Sequence, residues 1–219
     1  MKALVFGIGS FAQVAAAYLD HDSKYRVAAF VVDERYIVQP ELMGVPVVAF
    51  EHVVETHPPA EYEMFVAVGF KRVNALRAEM VARCKALGYK LLTYVSSRAS
   101  IVVPVPIGEN CFICENTAIQ PFVTIGDDTI LWGGSYVGHH SRIGAHCFLA
   151  SHVAISGHVT IGDGCFIGVN ATLRDGVTIP PQSVIGAGAT MLSDGVERGV
   201  YKGAAAHPAQ YTSDQLRTI

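Results

Sequence analysis

From residue 101 onward an aliphatic side chain recurs at every sixth position: Ile101, Ile107, Ile113, Ile119, Ile125, Leu131, Val137, Ile143, Leu149, Ile155, Ile161, Ile167, Leu173, Ile179, Ile185 and Met191. The phase never slips. Glycine follows the aliphatic in seven of these hexads, at Gly108, Gly126, Gly138, Gly144, Gly162, Gly168 and Gly186. Four places after the aliphatic stands a small or β-branched residue, as at Cys111, Thr117, Val123, Thr129 and Ser135. A helix of 3.6 residues per turn cannot hold a period of six on one face. Short strands joined by turns can, with one aliphatic per strand pointing into a shared core.

The first 95 residues follow another rhythm. "KALVFG", "RVAAFVVD" and "MFVAVGF" are short apolar runs ending at turn residues, the pattern of buried strands. "SFAQVAAAYLD" spaces its apolar residues as a helix does, and "VNALRAEMVARCKALG" is a second helix with a basic last turn and a terminal glycine. "KLLTYV" is a further strand. Strand–helix–strand succession predicts a small, Rossmann-like α/β domain with a parallel sheet. The expected organisation is therefore an α/β domain over 1–95, an all-β repeat domain over 96–195, and a tail over 196–219.

Composition narrows the function. Hydrophobic residues make up 51% of the chain and charged ones 16%, with a net charge of -3 and no Lys/Arg-rich run, which argues against a nucleic-acid partner. The apolar N-terminus is broken by Gly7 and Gly9, and no run approaches the ~18 residues of a membrane span. Five cysteines, an odd number, fit a reduced, cytoplasmic protein in which they are structural.

The six-residue repeat resembles the hexapeptide repeat of acyltransferases. That resemblance implies a left-handed parallel β-helix in which three hexads form one triangular coil, residues 18 apart stack, and about five coils fit between 101 and 191. It also orders five of the nine histidines, which crowd into "SYVGHHSRIGAHCFLASHVAISGH". His140, His146, His152 and His158 each stand three places after their aliphatic, so they share one turn position. His140 and His158 then stack on one edge of the prism, with His146 and His152 on the other two, and the four do not meet at one ion. His139 is out of step with them. Cys111, Cys147 and Cys165 hold the small-residue position and read as core packing.

The order of domains, with "FGIGSFAQV" at the start and "GHHSRIG" in the repeats, resembles the NeuD/PglD family of bacterial sugar acetyltransferases. The resemblance implies that His139 is the general base, since the attacking group must lose a proton as it adds to a thioester and imidazole titrates near neutrality. His140 occupies the position where the family keeps an acidic residue, and Phe148 the position of a second family histidine. The family implies acetyl-CoA along a groove between neighbouring β-helices, touched by Gly157, Asn170, Ala187 and Gly188, with Lys202 near a phosphate. It implies a nucleotide-linked sugar gripped by Gly7, Gly9, Ser10, Asp33, Glu34 and the Gly69–Arg72 turn, where Lys71 or Arg72 neutralises a phosphate and the helix start offers free N–H groups.

The expected function is acyl-CoA-dependent acylation of a nucleotide-linked amino sugar by a cytoplasmic homotrimer without a metal. Three alternatives stand beside it: O-acetylation on the same scaffold, a γ-carbonic-anhydrase-like zinc enzyme, and a non-enzymatic hexapeptide scaffold. The zinc reading needs a histidine far upstream in the helix, and residues 101–138 contain none.

Overall fold

The computed structural model describes residues 1–208, 210 and 212–215. The N-terminal sheet contains β1 (Lys2–Phe6), β2 (Arg26–Val32), β3 (Glu41–Leu42), β4 (Val45–Ala49) and β5 (Tyr62–Val66), in the order β3-β4-β2-β1-β5. All pair in parallel except β3, which runs antiparallel to β4. Helix α1 (Ser10–His21) packs on one face; α2 (Val53–Thr56) and α3 (Ala75–Ala86) accompany the other. Three of the four expected strands and both helices are present; "KLLTYV" is not a strand of this sheet, contributing only a bridge at Leu91 and then Tyr94–Val95 of the β-helix. The β3–β4 hairpin is additional, and the proline at 46 masks it in sequence. Helix α3 starts later than its apolar pattern, because Arg72, Val73 and Asn74 all have positive φ (55°, 49° and 67°). Three successive left-handed residues cannot belong to a right-handed helix.

The repeats fold as the hexads predict. Each aliphatic except Ile107, which makes an isolated bridge to Ile125, ends a two-residue strand and packs on the β-helix core. Strands 18 residues apart pair in parallel, as Phe112–Ile113 does with Ile130–Leu131. Three walls result. The first has seven strands, the second six (Ser100–Ile101 to Thr190–Met191) and the third four (Thr124–Ile125 to Thr178–Ile179). From Asn110 to Gly188 every residue three places after the aliphatic has φ between 53° and 75°. Asn, Asp, His and Gly tolerate that conformation best, which accounts for the shared phase of four histidines. The small-residue position gains a second role: Cys111, Cys147, Cys165, Thr129 and Ser141 each donate to the carbonyl fifteen residues on. Burial pushes the Cys111 thiol up to about 12, so it is an inert packing group. Cys111 and Cys114 have C-x-x-C spacing, yet Cys111 faces the β-helix interior and Cys114 the domain interface.

Both expected domain edges share residues with their neighbours. Leu91 bridges to Met64 of the sheet, whereas Tyr94–Val95 is already the first strand of the seven-stranded wall. At the other end Val200–Tyr201 adds a last strand to the same wall from within the expected tail. Residues 209, 211 and 216–219 of that tail lie outside the described residues.

The outward positions of the first six strands of the seven-stranded wall are Tyr94, Phe112, Ile130, Phe148, Phe166 and Val184, an apolar column that would be costly to leave wet; the seventh, Val200, is exposed. The N-terminal domain covers it. Phe112 lies 5.5 Å from Phe11, 5.6 Å from Tyr18 and 4.9 Å from Tyr94 between ring centroids. The other two walls present residues such as Thr124, Thr160, Ala154 and Thr172 instead. So one apolar wall is buried within the chain rather than left for a second copy.

Polar contacts fix the angle of docking. Asp22 at the end of α1 accepts from Tyr94 Oη (2.7 Å), Ser96 Oγ (2.9 Å) and the Ser97 N–H (3.0 Å). Hydrogen bonds from Ser97, then Tyr94 and Ser96, hold its carboxyl well below the usual carboxylate range. A depressed carboxylate contributes stability that is complete above its unfolded value, about 3.9, and lost as pH falls toward its folded value. Asp22→Asn is expected to lower Tm at pH 7 by about 2–4 °C, corresponding to ~1 kcal/mol, with a gap to wild type that narrows below pH 4. Thermal scans between pH 3 and 7 check this; a gap that widens in acid contradicts it.

Candidate functional site

His139 stands two places after Val137, in the turn between the second and third walls. That edge of the prism is opposite the wall covered by the N-terminal domain. The His139 N–H donates to Gln120 Oε1 (3.0 Å), and its carbonyl accepts from the His158 N–H. The His139 ring is exposed, and its Nδ1 lies 3.1 Å from His140 Nδ1, a hydrogen bond in which one imidazole donates and the other accepts. His140 and His158 stack 4.9 Å apart at 16°, as their 18-residue separation predicts, and His139 meets both edge-on. Phe122, 70% exposed, extends the column beneath His140 at 4.6 Å.

His139 therefore joins two of the shared-phase histidines, although it is out of step with them in sequence. One nitrogen from each of His139, His140 and His158 falls within a 4.8 Å sphere of separation. Three imidazoles at that spacing could hold a metal ion; as the rings stand, His139 and His140 share a hydrogen bond and His158 meets them only through ring contacts. His146 and His152 lie on the other edges. His146 bonds the buried Asp128 (2.8 Å), and the His152 ring lies over Gly134.

Gly157 is one coil above His139. A Cβ there would come within 2.8 Å of His139 Cε1 and 2.9 Å of Asp175 Oδ1, so the glycine makes the room the imidazole occupies. Asn170, Ala187 and Gly188 lie on a different edge, between the seven-stranded wall and the second wall, and Lys202 follows Tyr201 of the seven-stranded wall beside Gly186. Asn170 (φ 56°) and Gly188 (φ 66°) hold the left-handed turn position, which explains their residue types independently of any ligand. Within one chain the expected acetyl-CoA residues are thus split between two edges. Phe148 stands on neither: it packs against Phe166, Phe70 and Trp132 under the N-terminal domain.

A second site lies at the carboxyl ends of the sheet strands, a cavity of about 640 Å³ lined by Ile8, Asp33, Arg35, Tyr36, Lys71, Arg72, Glu79 and Arg83 among others. Of the residues expected there, Asp33, Lys71 and Arg72 line it; Gly7, Gly9, Ser10, Glu34 and Gly69 are not in its wall. Gly7 is required by the backbone, since its φ is 120° and a Cβ would lie 2.9 Å from Ala67 O. Gly9 caps α1 without a side-chain hydrogen bond and with open space where its Cβ would be, leaving the helix start accessible. Asp33 is engaged by Arg83 (2.8 Å) and Arg72 by Glu79, which leaves Lys71 as a lining cation that makes no ion pair among the described residues. Arg35, Tyr36 and Arg83 are cavity residues that no sequence motif announces.

The cavity mouth is braced by a buried polar network. Arg77 on α3, fully buried, donates to Asp128 Oδ1 (2.9 Å), Asp128 O (3.0 Å) and Cys147 O (3.0 Å). Asn74 donates to Gly164 O and Cys165 O, and Asn110 ties Asp128 to the Val66 backbone. These bonds hold the left-handed turn at 72–74 in place, from which Arg72 reaches the cavity.

Comparison with known proteins agrees with this architecture. Residues 106–139, 124–157, 140–175 and 158–192 match the bacterial transferase hexapeptide (six repeats) family. The acetyltransferase domain of PglB from Neisseria gonorrhoeae superposes with a TM-score of 0.79 at 24% identity, over 95% of this chain and 99% of that one. A histidine-to-asparagine mutant of perosamine N-acetyltransferase from Caulobacter crescentus, in complex with CoA and GDP-perosamine, gives 0.84 at 28% identity, over 93% and 94%. WeeI from Acinetobacter baumannii gives 0.66 at 22% identity, over 87% and 96%. Residues 106–192 are thus bacterial transferase hexapeptide repeats, folded as a left-handed parallel β-helix. An α/β domain followed by such a helix is the fold the chain shares with these structures, and over 93% of its length it is similar to the perosamine N-acetyltransferase.

Proposed function

We propose that the chain transfers an acetyl group from acetyl-CoA to the amine of a nucleotide-linked amino sugar, with His139 as general base. The observation that carries this is the histidine itself: an exposed imidazole oriented through its Nδ1, with its other edge over a glycine-made opening. When His139 Nδ1–H donates to His140, Nε2 keeps its lone pair for the acceptor. The amine nitrogen then attacks the thioester carbonyl as Nε2 takes its proton. Backbone N–H groups of the coil stabilise the oxyanion, and collapse expels the CoA sulfur, which leaves with the proton from the imidazolium. The perosamine enzyme, crystallised with CoA and GDP-perosamine, supports both substrate classes.

The cavity lined by Lys71 fits the nucleotide diphosphate end of such a substrate, and the open start of α1 lies next to its rim residue Ile8. It belongs to the domain on the seven-stranded wall, whereas His139 is on the opposite edge of the prism. The site is therefore completed by a neighbouring copy, which would also cover Phe122 and Tyr136. The same neighbour brings Gly157 of one chain together with the Asn170–Gly188 edge of another, as a groove for CoA requires. A homotrimer of about 70 kDa, three chains of 23.4 kDa, is the expected assembly.

The test is free-thiol release from acetyl-CoA across UDP-, dTDP- and GDP-linked amino sugars and their hydroxyl counterparts. Turnover confined to amino sugars supports the proposal. Turnover only with hydroxyl sugars would make the enzyme an O-acetyltransferase, and stoichiometric zinc with activity abolished by chelation would replace the base mechanism altogether.

A further inference from the structure

The turn position two places after the aliphatic is occupied by Asp127, His139, Asp163 and Asp175 in four different hexads. Asp127 and Asp163 behave alike: each carboxylate accepts from the backbone N–H one coil below, at Glu109 (2.9 Å) and Ala145 (2.8 Å). Asp175 has the equivalent N–H beneath it, at Gly157, but makes neither that bond nor any other side-chain hydrogen bond or ion pair among the described residues. Its Oδ1 instead reaches the space above Gly157, 2.9 Å from where a Cβ would be. His139, one coil below Gly157, leans into the same space from the other side, with Nε2 3.0 Å and Cε1 2.8 Å from that point. The glycine between them is buried and supplies no side chain to keep them apart.

We propose that Asp175 is the carboxylate partner of His139, acting across Gly157 and replacing in space the acid that His140 replaces in sequence. The proposal rests on His139 being the base. Asp175 is a positioning residue: its negative charge lies beside Nε2, where the proton arrives, and favours both the imidazolium formed during attack and the approach of a cationic amine. His140 holds the tautomer through Nδ1. The division of labour separates two tasks that one adjacent carboxylate usually combines, orientation and charge stabilisation.

The experiment is titration of the imidazoles in the intact protein by NMR with labelled histidine, His139 being assigned through His139→Gln. His140 and His158 are the other titratable rings in contact with it. Asp175→Asn is expected to lower the His139 midpoint by about half a unit or more, and Asp175→Glu to restore most of it, because a nearby carboxylate favours the charged imidazole. With a turned-over amino sugar, Asp175→Asn is expected to reduce kcat about tenfold with little change in the KM for acetyl-CoA. An unchanged His139 midpoint in Asp175→Asn overturns the proposal. That readout needs no turnover, so failure of every amino sugar in the thiol assay would count against acyl transfer and leave the Asp175 result to stand or fall separately.

Discussion

His139→Ala is expected to lower kcat by two orders of magnitude or more while acetyl-CoA binds with nearly unchanged affinity. A positioned base contributes roughly 10²–10⁴ in rate, and the loss should fall on kcat and kcat/KM alike because the proton moves only in the transition state. The structure limits side effects. The ring is exposed, and its backbone contacts to Gln120 and His158 do not depend on the imidazole. Truncation leaves the backbone bonds of the coil intact and removes the nitrogen over Gly157 together with the ring's contacts to the exposed His140 and His158. Stopped-flow or steady-state thiol release, paired with calorimetric titration of CoA, separates the two quantities. Near-normal turnover in this variant would move the base role to His140, and a matching loss of CoA affinity would make His139 a binding residue instead.

Arg77→Met is expected to have the largest effect on stability. It leaves the fully buried Asp128 carboxylate without its guanidinium, and breaking a buried pair by removing one partner costs about 3–5 kcal/mol. For a chain of this size that corresponds to a fall in Tm of about 6–20 °C. Burial works against the guanidinium charge, and Asp128 beside it works in favour, so the pair survives because each member is fully hydrogen-bonded. Adding Asp128→Asn to Arg77→Met removes the stranded charge and keeps an acceptor for Asn110, so the double variant should recover part of the loss. The link to function runs through α3. Arg77 and Asn74 anchor the turn from which Arg72 lines the cavity, so Arg77→Met should also raise the KM for the nucleotide-linked sugar. Differential scanning calorimetry and a sugar titration check both; an additive double variant would show that the two residues are not coupled.

The repeat made most of the β-helix legible, since the six-residue phase fixes which side chains point inward and which pairs stack. The same hexads also carry a signal that phase alone does not extract. In every third hexad the residue before the aliphatic is large and apolar (Phe112, Ile130, Phe148, Phe166, Val184), and that is the wall the N-terminal domain covers. Phe148, which the family pattern marks as a missing histidine, belongs to that column. The site was legible in part. Column arithmetic places His140 on His158 and sends His146 and His152 elsewhere, but it does not show that the His139 ring folds back against them. The approach of His139 and Asp175 depends on Gly157 lying between them, a relation across 36 residues of sequence with no local trace. Arg77 with Asp128 and Arg83 with Asp33 are pairs of the same kind, about 50 residues apart, fixed only by docking.

The most direct measurement mixes two inactive variants. His139→Ala lacks the base and Lys71→Ala combined with Arg72→Ala lacks the cavity cations; the two are unfolded together, refolded at equal amounts, and assayed for thiol release with acetyl-CoA and the best amino sugar substrate. If each site takes its base from one chain and its cavity from the next, random assembly makes about one site in four intact, and roughly a quarter of wild-type activity should return. Activity no higher than that of either parent, in a mixture shown to contain mixed trimers, would contradict a site shared between chains with His139 as its base.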